Sequence, residues 1–166
     1  MVSGGLAMYH IGDSVVYPMH GAGVIVSIEE HEVLGEKKKY YIMEMPIGDM
    51  RVMIPMDNLQ QIGIRDVITT QKADEVIRDL KEYEEVETAN WNKRYRENMV
   101  RIKSGDIFEV SHVVKSLMQR DHEKGLSTGE RKMLNSAKQI LVSELVMAKK
   151  LLQSEVEQLL EGICYK

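Results

Sequence analysis

The sequence predicts a two-domain α+β protein, in which a small antiparallel β-barrel of about five strands precedes an all-α bundle of four to five helices. Three observations favour this fold class. The apolar pattern changes near residue 66 from a two-residue period to a period of three to four residues. All three prolines, Pro18, Pro46 and Pro55, precede that point, and strand ends and turns tolerate proline better than helix interiors do. Apolar residues make up 43% of the 166 positions and charged residues 29%, which is typical of globular domains.

Four short segments before residue 66 have the pattern of β-strands. They cover residues 14–17, 24–28, 41–45 and 51–54. Glycines lie in each connection: Gly21 and Gly23, then Gly35, then Gly48. Since no helical pattern intervenes, the strands are expected to be antiparallel and to form a small twisted barrel.

Four apolar stripes with helical spacing follow residue 66. They cover residues 73–80, 91–102, 107–118 and 133–148. Asp106, Ser127 and Ser154 each precede a glutamate by three residues, which is the pattern of a capping box at a helix N-terminus. The last of these predicts a short fifth helix that ends at Gly162.

These patterns divide the chain into a tail or cloning remnant at residues 1–7, a β domain at 8–66 and a helical domain at 67–166. Cys164 is the single cysteine, which excludes an internal disulfide and a multi-cysteine zinc site. The sequence has no signal peptide and no apolar run long enough to cross a membrane. We therefore expect a cytoplasmic monomer with no membrane contact.

The charges are unevenly distributed, although the net charge is only −4. Residues 91–150 carry 13 basic and 7 acidic side chains, a net charge of +6, whereas the segments on both sides are acidic. The total excludes a strongly basic nucleic-acid binder as a description of the whole chain. The basic block is either a solvated helical surface or a patch that attracts a polyanion.

The sequence shows little that points to catalysis. The five histidines are scattered, and neither a His-Glu-x-x-His nor a Cys-x-x-Cys pattern occurs. The glycine pair Gly21 and Gly23 joins two predicted strands and opens no helix, so it is expected to supply positive φ angles in a hairpin rather than to bind a phosphate. We expect no enzyme, no catalytic residue, no metal site and no cofactor.

Five segments of the chain carry a resemblance to a known family. They are IGDSVVYPMHGAGV at residues 11–24, RDV at 65–67, NW at 90–91, SGD at 104–106 and LSTGER at 126–131. Together they resemble the CarD/CdnL family of bacterial transcription regulators. The match runs from about residue 9 to residue 160. The first segment also resembles the polymerase-interacting domain of the transcription–repair coupling factor, and the Asn-Trp and Leu-Ser-x-Gly-Glu segments decide for CarD/CdnL.

The resemblance implies a Tudor/SH3-like barrel that binds the β subunit of RNA polymerase. It also implies a helical domain that contacts promoter DNA at the upstream edge of the melted bubble and stabilises the open complex. Such a protein is nucleoid-associated through the polymerase. The small positive excess of residues 91–150 and the acidic segments on both sides of it separately predict a DNA contact that is weak alone and productive when docked. The alternative is a polymerase-bound adaptor that recruits another protein and does not touch DNA.

The expected polymerase-binding residues are His31, Arg51, Val52, Met53 and Ile54, at or near a strand edge that can pair with a strand of the partner. His31 and Met53 align with positions where some family members carry arginines, which puts the charged contacts in doubt. The five methionines between positions 43 and 56 are either core or an adaptable apolar surface, and we expect them to divide between the two.

The expected DNA-binding residues surround the single tryptophan, Trp91. A tryptophan at helical spacing is often core, but a flat ring among cations suits a wedge at a distorted base step. The set is Asn90, Trp91, Lys93, Arg94, Arg96, Arg120, Arg131 and Lys132. The resemblance supplies Arg96, Arg120 and Arg131, which align with basic positions that face DNA in the family, and Lys132 lies next to Arg131. For Arg120 a local ion pair with Asp121 or Glu123 is the other interpretation, and Glu130 is interpreted as a helix cap. Exposure of Trp91 discriminates DNA contact from the adaptor.

Overall fold

The computed structural model describes residues 9–85 and 90–165, so the predicted tail at 1–7 lies outside the described residues. Five strands and a short helical segment form the first part. They are β1 (Ser14–Tyr17), β2 (Gly21–Val33), β3 (Glu36–Glu44), β4 (Arg51–Pro55), a 3-10 turn (Met56–Asn58), α1 (Leu59–Ile62) and β5 (Arg65–Asp66). All four strand predictions are therefore confirmed, and β5 and α1 are additions to them.

The strands form one antiparallel sheet in the order β4-β3-β2-β1-β5. Within the described residues β4 and β5 do not pair, so the predicted five-stranded antiparallel barrel is present as an open sheet. The reason is local: after β4 the chain turns through residues 56–62 as helix, which leaves two residues for β5. One face of the sheet buries a core that includes Val15, Ile25, Tyr41 and Ile54.

The glycines of the first connection have different roles. Gly21 has a φ angle of 125°, as predicted for a turn. Gly23 has no positive φ, and the prediction for it is wrong: a Cβ at this position would lie 2.6 Å from the Glu44 carbonyl oxygen on β3. Gly23 is therefore required by the close approach of two strands rather than by a turn.

In the described part of the chain, five helices follow β5, at the upper end of the predicted number. They are α2 (Thr70–Glu82), α3 (Trp91–Lys103), α4 (Ile107–Glu123), α5 (Thr128–Lys149) and α6 (Gln153–Cys164). Asp106 and Ser127 cap α4 and α5 as predicted. The cap predicted at Ser154 is wrong, because α6 begins after Leu152, whose N–H donates to the Glu155 carboxylate (2.9 Å), and it continues past Gly162.

The predicted apolar stripes form the core of the bundle. The longest helix, α5, buries residues on several sides, among them Leu134, Ile140, Leu141 and Leu145, because α2, α3, α4, α6 and the sheet all contact it. None of the described helices is both long and apolar enough to span a membrane.

The start of β2 packs directly on α5. The Ala22 N–H donates to Ser143 Oγ (2.9 Å), and Gln139 Nε2 donates to the His20 carbonyl (2.9 Å). A Cβ at Gly21 would lie 2.4 Å from Ser143 Oγ. The sheet and the bundle therefore share an interface that admits no side chain at this glycine.

Candidate nucleic-acid and protein interfaces

Trp91 begins α3, and Asn90 holds it there. The Asn90 side chain accepts a hydrogen bond from the Lys93 N–H (3.1 Å), so Asn90 is the N-cap of the helix. The indole stacks on Tyr95, with ring centroids 5.1 Å apart and planes inclined by 22°. Its Nε1 lies 3.4 Å from Ser127 Oγ at the start of α5. Trp91 nevertheless remains 42% exposed, so it is not a core residue.

Three exposed cations lie in the first two turns of α3 and α5, the helices that begin at Trp91 and directly after its contact Ser127. Lys93, Arg96 and Lys132 are exposed, and no ion pair ties them to any residue that the structure describes. We call Trp91, Lys93, Arg96 and Lys132 the Trp91 surface. The N-terminus of α5 adds the positive end of its dipole. This surface therefore suits an anionic ligand that can also stack on the exposed ring of Trp91.

Arg94 and Arg120 are directed inward, towards Glu130. Arg94 Nε donates to Glu130 Oε2 (3.0 Å), and Arg120 Nε lies 3.9 Å from Glu130 Oε1. The ion pair of Arg120 is thus with Glu130 rather than with Asp121 or Glu123. The Glu130 N–H is capped by Ser127 Oγ (3.2 Å). These two arginines neutralise a buried carboxylate near the Trp91 surface.

Burial and the neighbouring groups shift the pKa of Glu130 in opposite directions. Burial by itself would raise the pKa, but the hydrogen bond and the charge of Arg94, the capping bond at Ser127 and the charge of Arg120 hold it below its ordinary value. Glu130 is therefore a charged anchor as well as part of the predicted cap.

Arg131 is half-exposed and forms a two-armed ion pair with Asp121 (2.5 and 3.2 Å) on α4. The pair joins α5 to α4 at the bundle surface. Because it is exposed, a phosphate can compete for this guanidinium. Arg131 is thus oriented by Asp121 but still accessible.

The second candidate surface is the β4 edge, Arg51–Pro55, which among residues 9–85 and 90–165 pairs only with β3. Met53 is 45% exposed and Val52 is half-buried, whereas the Ile54 side chain is fully buried in the sheet core. Arg51 pairs with Glu44 across the strands (3.0 Å). The edge therefore offers backbone groups, one apolar side chain and one ion pair to a partner.

His31 lies on β2, two strands from that edge, in the exposed β2–β3 hairpin. Its Nε2 lies 2.9 Å from Glu29 Oε1, and its ring meets Tyr40 edge-on with centroids 5.8 Å apart. Tyr40 pairs with Pro55 at the end of β4. The aromatic contact thus connects His31 to the β4 edge.

The five methionines divide between core and surface as predicted. Met43 and Met45 are buried, Met50 and Met53 are exposed and Met56 is half-buried. Strand alternation explains why Met53 is exposed while the next residue, Ile54, is buried, because successive side chains point to opposite faces of a sheet.

Tyr95 and Ser127 both contact Trp91, and neither is among the residues predicted for a site. Tyr95 belongs to the apolar stripe at residues 91–102, and its separation of four residues from Trp91 places the two rings in stacking contact on one helix face. Ser127 was interpreted only as a helix cap.

Comparison with known proteins connects both parts of the chain to one family. The family model described as the CarD-like/TRCF RID domain matches residues 9–68, and the one described as the CarD C-terminal domain matches residues 75–161. A Bacillus subtilis (strain 168) protein named "Putative transcription factor YdeB" is 39% identical over 150 residues, which covers 90% of this chain and 98% of that protein. The resemblance drawn from the sequence motifs is confirmed. The chain therefore belongs to the CarD family and is a CarD-like transcription regulator.

Proposed function

We propose that the protein binds the β subunit of RNA polymerase through the β4 edge and contacts promoter DNA at the upstream edge of the bubble through the Trp91 surface. In this proposal residues 8–66 are the docking domain and residues 67–166 the DNA-contacting domain. The result is a longer-lived open complex.

The exposure of Trp91 is the observation that carries the DNA contact. A large aromatic side chain left 42% exposed forgoes much of the free energy that burial would give. Beside Lys93, Arg96 and Lys132 the ring can stack on an unpaired base at a fork while the cations hold phosphates. Asn90 fixes the helix start that presents the ring, and Arg131 adds an accessible guanidinium.

Arg94 and Arg120 act differently in this proposal. Their contacts with Glu130 hold the first turn of α3 against α5 and α4, so they shape the surface and add positive charge from below. The contact is with backbone and stacked base rather than with base edges. Such contacts carry little sequence information, which suits a factor that acts at many promoters.

The docking role of the β4 edge has its own support. An unpaired strand edge with an exposed methionine can accept a partner strand through main-chain hydrogen bonds. Ile54 contributes its backbone, because its side chain lies in the core. His31, through Tyr40, lies at the end of the same surface.

The mechanism is a shift of an equilibrium. A ligand that binds melted promoter DNA more tightly than duplex favours the open complex by the difference in binding free energy. A wedge at the upstream fork has this property without reading a sequence. An adaptor whose helices recruit another protein would instead leave promoter melting unchanged in a purified system.

Promoter-melting kinetics with purified polymerase test the proposal. Wild-type protein should lengthen the open-complex lifetime, and Trp91→Ala should shorten it at least about fivefold, since a lost stacking contact costs about 1–3 kcal/mol. The matched control is Val100→Ala, which removes another exposed apolar side chain from the same helix and should change nothing. Equal lifetimes with the two variants would contradict the DNA contact.

A further inference from the structure

One buried carboxylate connects the sheet to the helical bundle. Glu144 on α5 is completely buried, and it accepts two hydrogen bonds from the Arg65 guanidinium of β5 (2.7 and 2.8 Å). Its Oε2 also accepts the Ile68 N–H (3.0 Å) from the segment between β5 and α2. Both oxygens are therefore satisfied by groups from outside the helix, and all of them come from the junction of the two domains.

Arg65 extends the connection to the helix that carries Trp91. Its Nε donates to the Gly105 carbonyl (3.3 Å), which lies directly after Ser104, the C-cap of α3. Gly105 itself has a φ angle of 75° and forms the turn into α4. A single planar guanidinium thus holds β5, α5 and the end of α3 together, and its fixed fork geometry makes the arrangement directional.

A second buried carboxylate holds the other end of α3. Glu130 lies 14 residues before Glu144 on α5, a separation of about 21 Å and almost four helical turns, and it binds Arg94 in the first turn of α3. Between these two points α3 buries fully only Asn98 and Ile102. Tyr95 and Met99 add partly buried contacts with the bundle core, and the polar contacts at both ends of α3 add directional constraints to this packing.

We propose that Arg65 and Glu144 are positioning residues that fix the orientation of α3, and hence of Trp91, relative to the β4 edge. The effect of this orientation on the DNA contact rests on the proposed function, whereas the orientation of α3 itself does not. Buried ion pairs add little net stability compared with apolar residues of the same size, but in some proteins they select one arrangement over others. The orientation between the two domains is the arrangement proposed here.

The distance between two spin labels measures that orientation on the full-length protein without polymerase. The label sites are Ser14→Cys on β1 and Val100→Cys on α3, both exposed. The native Cys164 is buried, and burial raises the pKa of its thiol to about 11, so it does not compete for the label. In the doubly labelled protein we expect a narrow distance distribution.

Two variants loosen the pair in different ways. Glu144→Gln removes the charge and one acceptor, and Arg65→Lys keeps the charge but cannot reach Glu144 and Gly105 together. Each should broaden or shift the distance distribution, while Glu161→Gln, an exposed carboxylate on α6, leaves it unchanged. Where Glu144→Gln does not fold, Arg65→Lys decides. A distribution as narrow and centred as the wild-type one in the folded variants overturns the proposal.

The open-complex assay completes the test. Both variants should keep the wild-type affinity for the β subunit and shorten the open-complex lifetime towards that of Trp91→Ala. A broadened distance distribution with a wild-type open-complex lifetime would show that the orientation of α3 does not control the DNA contact, and it overturns the proposed positioning of Trp91 for DNA. If Trp91→Ala itself has no effect, the proposed DNA contact fails, and the distance measurement still decides whether Arg65 and Glu144 fix the orientation.

Discussion

Among single side chains, Glu130 determines which of the cations near Trp91 point into the protein and which remain exposed. It draws Arg94 and Arg120 inward, while Lys93 and Arg96 remain exposed on the same helix. These contacts hold the two arginine side chains in place, because breaking them would leave the buried carboxylate with an uncompensated charge. The geometry of the Trp91 surface therefore depends on a residue that is itself 2% exposed.

Replacing Glu130 by glutamine should destabilise the protein. We expect a loss of about 3 kcal/mol at pH 7, the low end for removing one partner of a buried ion pair, because Arg94 and Arg120 retain some contact with solvent. Urea unfolding measures the loss, and Glu161→Gln is the exposed control.

The pH dependence of that loss has a definite sign. The pKa of Glu130 is lowered below 4.5 in the folded state, so its contribution is complete above about pH 4.5 and disappears as the pH falls through the folded-state pKa. The difference between wild type and Glu130→Gln should therefore shrink in acid. A difference that stays constant from pH 7 to pH 3 would mean that the charge is not what stabilises this site.

Much of the site was visible in the sequence, and the ion pairs were not. Lys93, Arg94 and Arg96 follow Trp91 within five residues, so their common location could be predicted, whereas Lys132 lies 41 residues further along the chain. Arg94 and Glu130 are 36 residues apart, and Arg65 and Glu144 are 79 apart. Their pairing depends on how the helices pack, and no local pattern encodes that geometry.

At the level of elements, β4 and α3 each bury only a small part of their residues. β4 has one strand neighbour, and α3 buries two residues fully over its 13 positions. Elements with so little burial contribute little to a core, so their exposed faces are available for binding. The docking and DNA-contacting roles proposed above fall on these two elements.

Met53→Glu tests the β4 edge in the full-length protein. We expect the affinity for the β subunit to fall about tenfold, because a charge in the apolar centre of an interface costs on the order of 1–2 kcal/mol. The control is Met50→Glu, which places the same charge on an exposed methionine of the β3–β4 connection. An equal loss in both variants, measured by titration calorimetry, would show a general charge effect instead of docking by the edge.

The periodicity of the sequence predicted the helices better than the sheet. Stripes such as Ala73, Val76, Ile77 and Leu80 are long enough to define a buried face, and each one corresponds to a helix. Closure of a sheet depends on whether the first and last strands meet, and β5 has two residues, too few for a period. The cap at Ser154 failed because Ser-x-x-Glu also occurs inside the first turn of a helix, where Glu155 does the capping.

The whole molecule carries a net charge of −4, with its basic block between acidic segments. About three or four cations can reach phosphates, which gives a log–log salt slope of roughly −3 and a non-specific Kd of about 10⁻⁴ M or weaker near physiological salt. Docking on polymerase would raise the effective concentration of DNA to the order of millimolar. The Trp91 surface would then be occupied by DNA in the polymerase complex and not in free solution.

Site-specific photocrosslinking from position 93 tests this account most directly. A photoreactive amino acid in place of Lys93, beside Trp91, should crosslink to promoter DNA at the upstream edge of the bubble in the polymerase open complex. At about 150 mM salt it should not crosslink to the same duplex without polymerase, because the weak affinity leaves free DNA unoccupied. Crosslinks to a protein subunit in place of DNA, or equal crosslinking to free duplex, would contradict the account.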